Sequence, residues 1–221
     1  MPTEELSPAL GRYLEAIFYL LAEGENPRPS RIAEWLGLSK PTVTGGLRRL
    51  ADAGLLAPDT KSPSLTSAGR SRAERIVRTH RILERWLTDE LRLDWLQADI
   101  EAGRLEHAVS DDVAERIYER LNRPTTCPHG NAIPGTDFHA RSERRLVALR
   151  AGERSLVRRI SEATEHETPT LLRFLSDHGI GLDVEVEMVD RDSGSGVVTV
   201  GVGGDRIAFA EAMAEKVWVD S

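Results

Sequence analysis

A single cysteine, Cys127, in 221 residues excludes an internal disulfide and fits a reducing compartment. No run approaches the roughly 18 apolar residues of a membrane span. The opening MPTEELSPAL is acidic and lacks an apolar core, so a secretory leader is not expected and a cytoplasmic protein is. There is no repeat or low-complexity tract, no H-E-x-x-H, no Gly-rich phosphate loop and no nucleophile motif. Those absences argue against an enzyme and a small-molecule substrate. What remains is ordinary for a folded, non-membrane chain, 40% hydrophobic and 29% charged. The net charge of −7 weighs against a polyanion partner, but the average conceals a basic N-terminal third beside an acidic middle. That asymmetry suits a polyanion-binding module joined to a cation-binding one.

Apolar Leu10, Leu14, Ile17, Phe18 and Leu21 follow the rhythm of a helix with one buried face, which GENPRP breaks. Next comes SRIAEWLGLSKPTVTGGLRRLADAGLL. A short helix ends at Gly37; Ser39 caps a second, whose first turn tolerates Pro41 and which buries Val43, Leu47 and Leu50. Two helices around a tight turn, followed by the strand-turn-strand of LLAPDTKSPSLTSAGR, predict a winged helix-turn-helix that reads double-stranded DNA. The expected DNA surface is Pro41, Thr42, Thr44, Arg48 and Arg49, with Arg28, Ser39, Lys40 and Lys61 around it. Gly45 and Gly46 are anomalous, since a glycine inside a helix costs about 1 kcal/mol relative to alanine.

A long helix over about 67–91 stacks His80 and Glu84 on one face, and a further helix over about 94–109 carries Glu106 and His107. Ser110 caps another, expected to bury Val113, Ile117 and Leu121. These helices offer more apolar surface than the small N-terminal domain needs, which points to a homodimer. NRPTTCPHGNAIPG reads as a structural Pro/Gly loop, because Cys127 and His129 lack a second ligand pair. Beyond a charged stretch, the period-two patterns VEVEMVD and GVVTVGV predict a small barrel. The expected fold is thus mainly α with small β parts: a DNA-binding domain (1–73), a helical domain (74–140), a linker (141–152) and a barrel (153–221).

GRYLEAIFYLL, RIAEWLGLSKPTVTGGLRRLADAGLL, LTSAGR, RTHRILERWL and RLEHAVSDDVAERI with PTTCPHGNAIPG together resemble the metal-dependent repressors typified by the diphtheria toxin repressor. The C-terminal segment more loosely resembles that family's SH3-like (FeoA-like) domain. The resemblance implies a cytoplasmic homodimeric repressor of metal-uptake genes, activated for operator DNA by Mn²⁺ or Fe²⁺, with Zn²⁺ or Co²⁺ able to substitute in vitro. It places metal ligands at His80, Glu84, Glu106 and His107. Glu15, Asp99 and, from the third domain, Glu162, Glu165 and His166 fall on or near positions used by some members.

Two departures stand out. Arg12 and Gly103 occupy positions where the family's primary site supplies ligands. A guanidinium about 4 Å from a cation, at an effective dielectric near 20, repels it by about 4 kcal/mol per unit charge. One expectation is that Arg12 replaces the primary ion by pairing with Glu106, leaving sensing to His80, Glu84, Asp99 and a third-domain ligand. The alternative is a winged-helix regulator of the same fold that binds DNA without metal control or answers another signal. A metallohydrolase built on His80, Glu84, Glu106 and His107 is the reading from another class.

Overall fold

The structure, a computed structural model, describes residues 7–59, 63–162 and 169–221. Helix α1 (Pro8–Ala22) leads into α2 (Pro29–Leu36) and α3 (Lys40–Asp52). Proline stands in the first turn of all three, where no backbone N–H is required. The Ser39 side chain accepts from the Thr42 N–H and caps α3. Leu14, Ile17, Ile32, Trp35, Val43, Leu47 and Leu50 close one core beneath this helix-turn-helix. Among the described residues, an antiparallel bridge between Leu56 and Leu65 marks the wing.

Helix α4 (Ser67–Asp89) runs from that domain into the next. Its first half packs Ala73 and Val77 on the first core. Its second half packs Leu83 and Leu87 on Ala98 and Ala102 of α5 (Trp95–Leu105). Helix α5 stops at Leu105, so Glu106 and His107 lie on the turn that follows it, short of the helix expected to reach Val109. Helix α6 (Asp111–Arg120) buries Ala114 and Tyr118, whereas Val113, expected inside, is 46% exposed.

The third domain is an antiparallel sheet of β1 (Glu143–Arg145), β2 (Arg154–Ile160), β3 (Glu185–Asp192), β4 (Val197–Val202), β5 (Asp205–Ala210) and β6 (Val217–Asp220). The strand order is β1-β6-β2-β3-β4-β5. Helix α7 (Pro169–Asp177) contributes Leu171, Leu172 and Leu175 to its core, and α8 (Glu211–Ala214) leads into β6. Residues expected as linker belong to this domain. β1 pairs with β6, and Leu146, Val147 and Leu149 are buried in the barrel core. Their alternation was hidden by the arginines and glutamate around them, whose charged ends stay outside the core while the intervening apolar residues pack.

Candidate metal centre

Helix α1 presents Gly11 and Glu15 toward α4, one helical turn apart on the same face. Arg12, about 100° further round, is exposed. The expected Arg12–Glu106 pair is therefore not formed. Glu106 instead accepts or shares a proton with His80, its Oε2 lying 2.7 Å from Nδ1, while its Oε1 lies 3.3 Å from Nε2 of His107. His107 reaches this position because Gly11 has no side chain: a Cβ there would meet His107 Cε1 at 2.8 Å. Gly103 is exposed and its missing side chain would have met nothing within 4 Å.

On α4, His80 and Glu84 share a face as expected, with Nε2 and Oε2 3.8 Å apart. Asp99 of α5 lies 3.4 Å from the same His80 nitrogen. The loop after α6 then supplies what the sequence had assigned to structure. His129 Nδ1 stands 3.2 Å from Glu84 Oε1, and Cys127 is buried beside it. Donor atoms of Glu84, Cys127 and His129 all lie within 4.8 Å of one another, as do those of Glu15, His80 and Glu106, and those of His80, Glu84 and Asp99. Cys127 and His129 went unassigned because their partner is 43 or more positions earlier in the chain, on a helix. The C-P-H spacing offers two ligands but does not name their partner on α4.

Glu162, just after β2, closes the centre from the third domain. Its Oε1 lies 2.7 Å from Nη2 of Arg81, and both residues are buried. Arg81 also donates to the carbonyl of Ala132 and lies over the rings of Tyr19 and Phe18. Glu165 and His166 fall outside the described residues, as does Lys61 of the expected DNA surface. The remaining expected DNA contacts, Arg28, Ser39, Lys40, Pro41, Thr42, Thr44, Arg48 and Arg49, are all exposed.

Electrostatics define the centre. Glu15, Glu84, Asp99, Glu106 and Glu162 gather around His80 and His129, and the permanent cation Arg81 pairs with Glu162. Protons make up part of the difference. Burial and the nearby Glu106 push the Glu15 carboxyl up to about 8. Burial opposes charging of His80, but Asp99, Glu106 and Glu84 outweigh it and hold the imidazole protonated well above its usual range. His129 follows the same balance, with Glu84 as its main counter-charge. Burial also raises the Glu162 carboxyl, against the pull of Arg81. Both oxygens of Glu84 are fully buried, Oε1 beside His129 Nδ1 and Oε2 3.8 Å from His80 Nε2. Carboxylates this deep are costly unless they are paired with a cation or ligated. The donor set of carboxylates, imidazoles and one cysteine sulfur fits a divalent transition metal.

Three family models match the chain in succession. Residues 5–62 match the iron dependent repressor N-terminal DNA binding domain, residues 66–135 the iron dependent repressor metal binding and dimerisation domain, and residues 144–221 the FeoA domain. The chain is 35% identical over 228 residues to the iron-dependent repressor IdeR of Mycobacterium tuberculosis, covering 98% of each. The chain belongs to the iron-dependent repressor family. It is accordingly a metal-dependent, DNA-binding transcriptional repressor by kind. Another member, the diphtheria toxin repressor of Corynebacterium diphtheriae, is 33% identical over 94% of this chain and 95% of its own. Among solved structures, a manganese-dependent transcriptional repressor in complex with manganese superposes with a TM-score of 0.85 at 34% identity, covering 96% of this chain and 99% of that one. The family is one of transcriptional repressors. No described helix is long and apolar enough to cross a membrane.

Proposed function

We propose that this chain is a homodimeric, cytoplasmic repressor of metal-homeostasis genes. Its operator binding is switched by Mn²⁺ or Fe²⁺ held in two adjoining pockets that share α4. One pocket is Glu84, Cys127 and His129, with Glu162 beside it; the other is Glu15, His80 and Glu106, with Asp99 at the junction. His107 lies at the outer edge, and Arg12 and Gly103 contribute nothing. The observation that carries this reading is the convergence of buried and partly buried donor atoms from Glu15, His80, Glu84, Asp99, Glu106, Cys127 and His129 in groups within 4.8 Å.

A bound divalent ion would supply the missing positive charge and a multidentate bridge between elements. The residues do the rest. Glu15 belongs to the reading head, His80 and Glu84 to the connecting helix, Cys127 and His129 to the loop, and Glu162 to the third domain. Drawing them together fixes the head against the dimerisation helices, which sets the spacing of two heads along DNA. The cysteine sulfur softens the donor set, so Zn²⁺ and Co²⁺ bind at least as tightly as Mn²⁺ in vitro, and cellular availability selects the ion.

Mn²⁺ titration of chelated protein, followed by operator binding, tests the reading. His80→Ala and Cys127→Ala with His129→Ala should each lose metal and the metal-dependent part of DNA affinity. Undiminished operator binding by fully chelated wild-type protein would refute metal control. It would favour the second reading, a repressor of this fold without metal control. One feature supports that alternative: Arg81–Glu162 and Arg159–Glu23, the latter 2.8 Å apart, already tie the third domain to the rest without an ion.

A further inference from the structure

Helix α3 buries Val43, Gly46, Leu47 and Leu50. At about 100° per residue, the line farthest from that face is Pro41, Gly45, Arg48 and Asp52. Gly45 is at the middle of it. The two glycines of this helix differ in cause. A Cβ on Gly46 would fall 2.5 Å from the Tyr13 ring, so packing requires its absence. A Cβ on Gly45 would meet nothing within 4 Å, and its backbone is helical without a positive φ. Neither packing nor conformation within the protomer accounts for a residue that weakens a helix interior.

The neighbours of Gly45 are already committed or short. Thr44 donates its hydroxyl to the Lys40 carbonyl at 3.0 Å, and the Thr42 hydroxyl lies 2.8 Å from that of Ser39. Both threonine hydroxyls are therefore already engaged within the helix. Arg49 on one flank carries the charge that suits a phosphate wall, while the crest itself is bare from Pro41 to Arg48. A helix entering a major groove turns its crest to the base edges and its flanks to the phosphates.

We propose that Gly45 is the point of closest approach between α3 and the base edges of the operator, and that its missing side chain helps set which sequence is read. The inference rests on the family's DNA binding and adds the residue that positions the helix. A random duplex pool selected with wild-type Mn²⁺-loaded dimer supplies the probe. Gly45→Ala should raise the unfolding midpoint, by roughly 2–4 °C if it recovers the usual glycine-to-alanine difference. It should weaken binding to the selected duplex roughly tenfold or more while leaving affinity for an unrelated duplex and metal stoichiometry unchanged. A lowered midpoint would return Gly45 to a folding role and overturn the proposal. So would undiminished affinity for the selected duplex, or equal loss on both duplexes.

Discussion

Replacing Arg81 by methionine tests whether the centre is held by a guanidinium until an ion arrives. Arg81 and Glu162 are 4% and 2% exposed, and the pair has two short contacts, Nε–Oε1 at 3.0 Å and Nη2–Oε1 at 2.7 Å. Methionine keeps much of the apolar stem that packs on Phe18 and Tyr19 but leaves Glu162 buried beside Glu84 without its cation. Removing one partner of such a pair costs about 3–5 kcal/mol. Proton uptake by Glu162, whose pKa burial already raises, brings the cost toward the lower end. The double variant Arg81→Met, Glu162→Leu removes both charges and should recover most of the loss. Denaturant unfolding at pH 7 with chelator reads these values; the same experiment with saturating Mn²⁺ reads the other half of the argument. There, a Glu162 freed from Arg81 can ligate, so the deficit of Arg81→Met should shrink and its Mn²⁺ affinity should rise. A loss below about 1 kcal/mol, or one equal with and without Mn²⁺, would refute the claim that Arg81 and an ion compete for Glu162.

Gly11→Ala should destabilise the protein by about 1–3 kcal/mol through overpacking, because the new methyl meets His107 at 2.8 Å and Ile76 at 3.3 Å; thermal melts would show it, and His107→Ala in the same chain should relieve it. Metal uptake must expel the protons on His80, His129 and Glu15, whose pKa values are raised, so apparent Mn²⁺ affinity should climb as pH rises toward and through about 8; a pH-independent affinity in calorimetry would contradict the protonated apo centre. Ile100 and Val113 are 44% and 46% exposed in the protomer, and replacing both with aspartate should shift the dimer to monomer in sedimentation while leaving the helical content intact.

Local chemistry made much of this molecule legible. Ser39, Pro41 and the Val43–Leu47–Leu50 face mark α3 without reference to anything distant, because capping and helical periodicity act over a few residues. His80 and Glu84 face the same way for the same reason. The third domain was harder at its start. Leu146, Val147 and Leu149 lie in a charged stretch, and only pairing of β1 with β6, more than 70 positions away, gives them a core.

The centre divides along the same line. The chain order alone determined which residues are able to ligate, that α4 would present two of them together, and that Gly103 would present none. Only the tertiary structure decided that Cys127 and His129 meet Glu84, that Glu106 turns to His80 and away from Arg12, and that Arg81 holds Glu162. Helical geometry sets neighbours at three and four residues. Contacts between elements depend on how those elements pack, and no spacing along the chain encodes that.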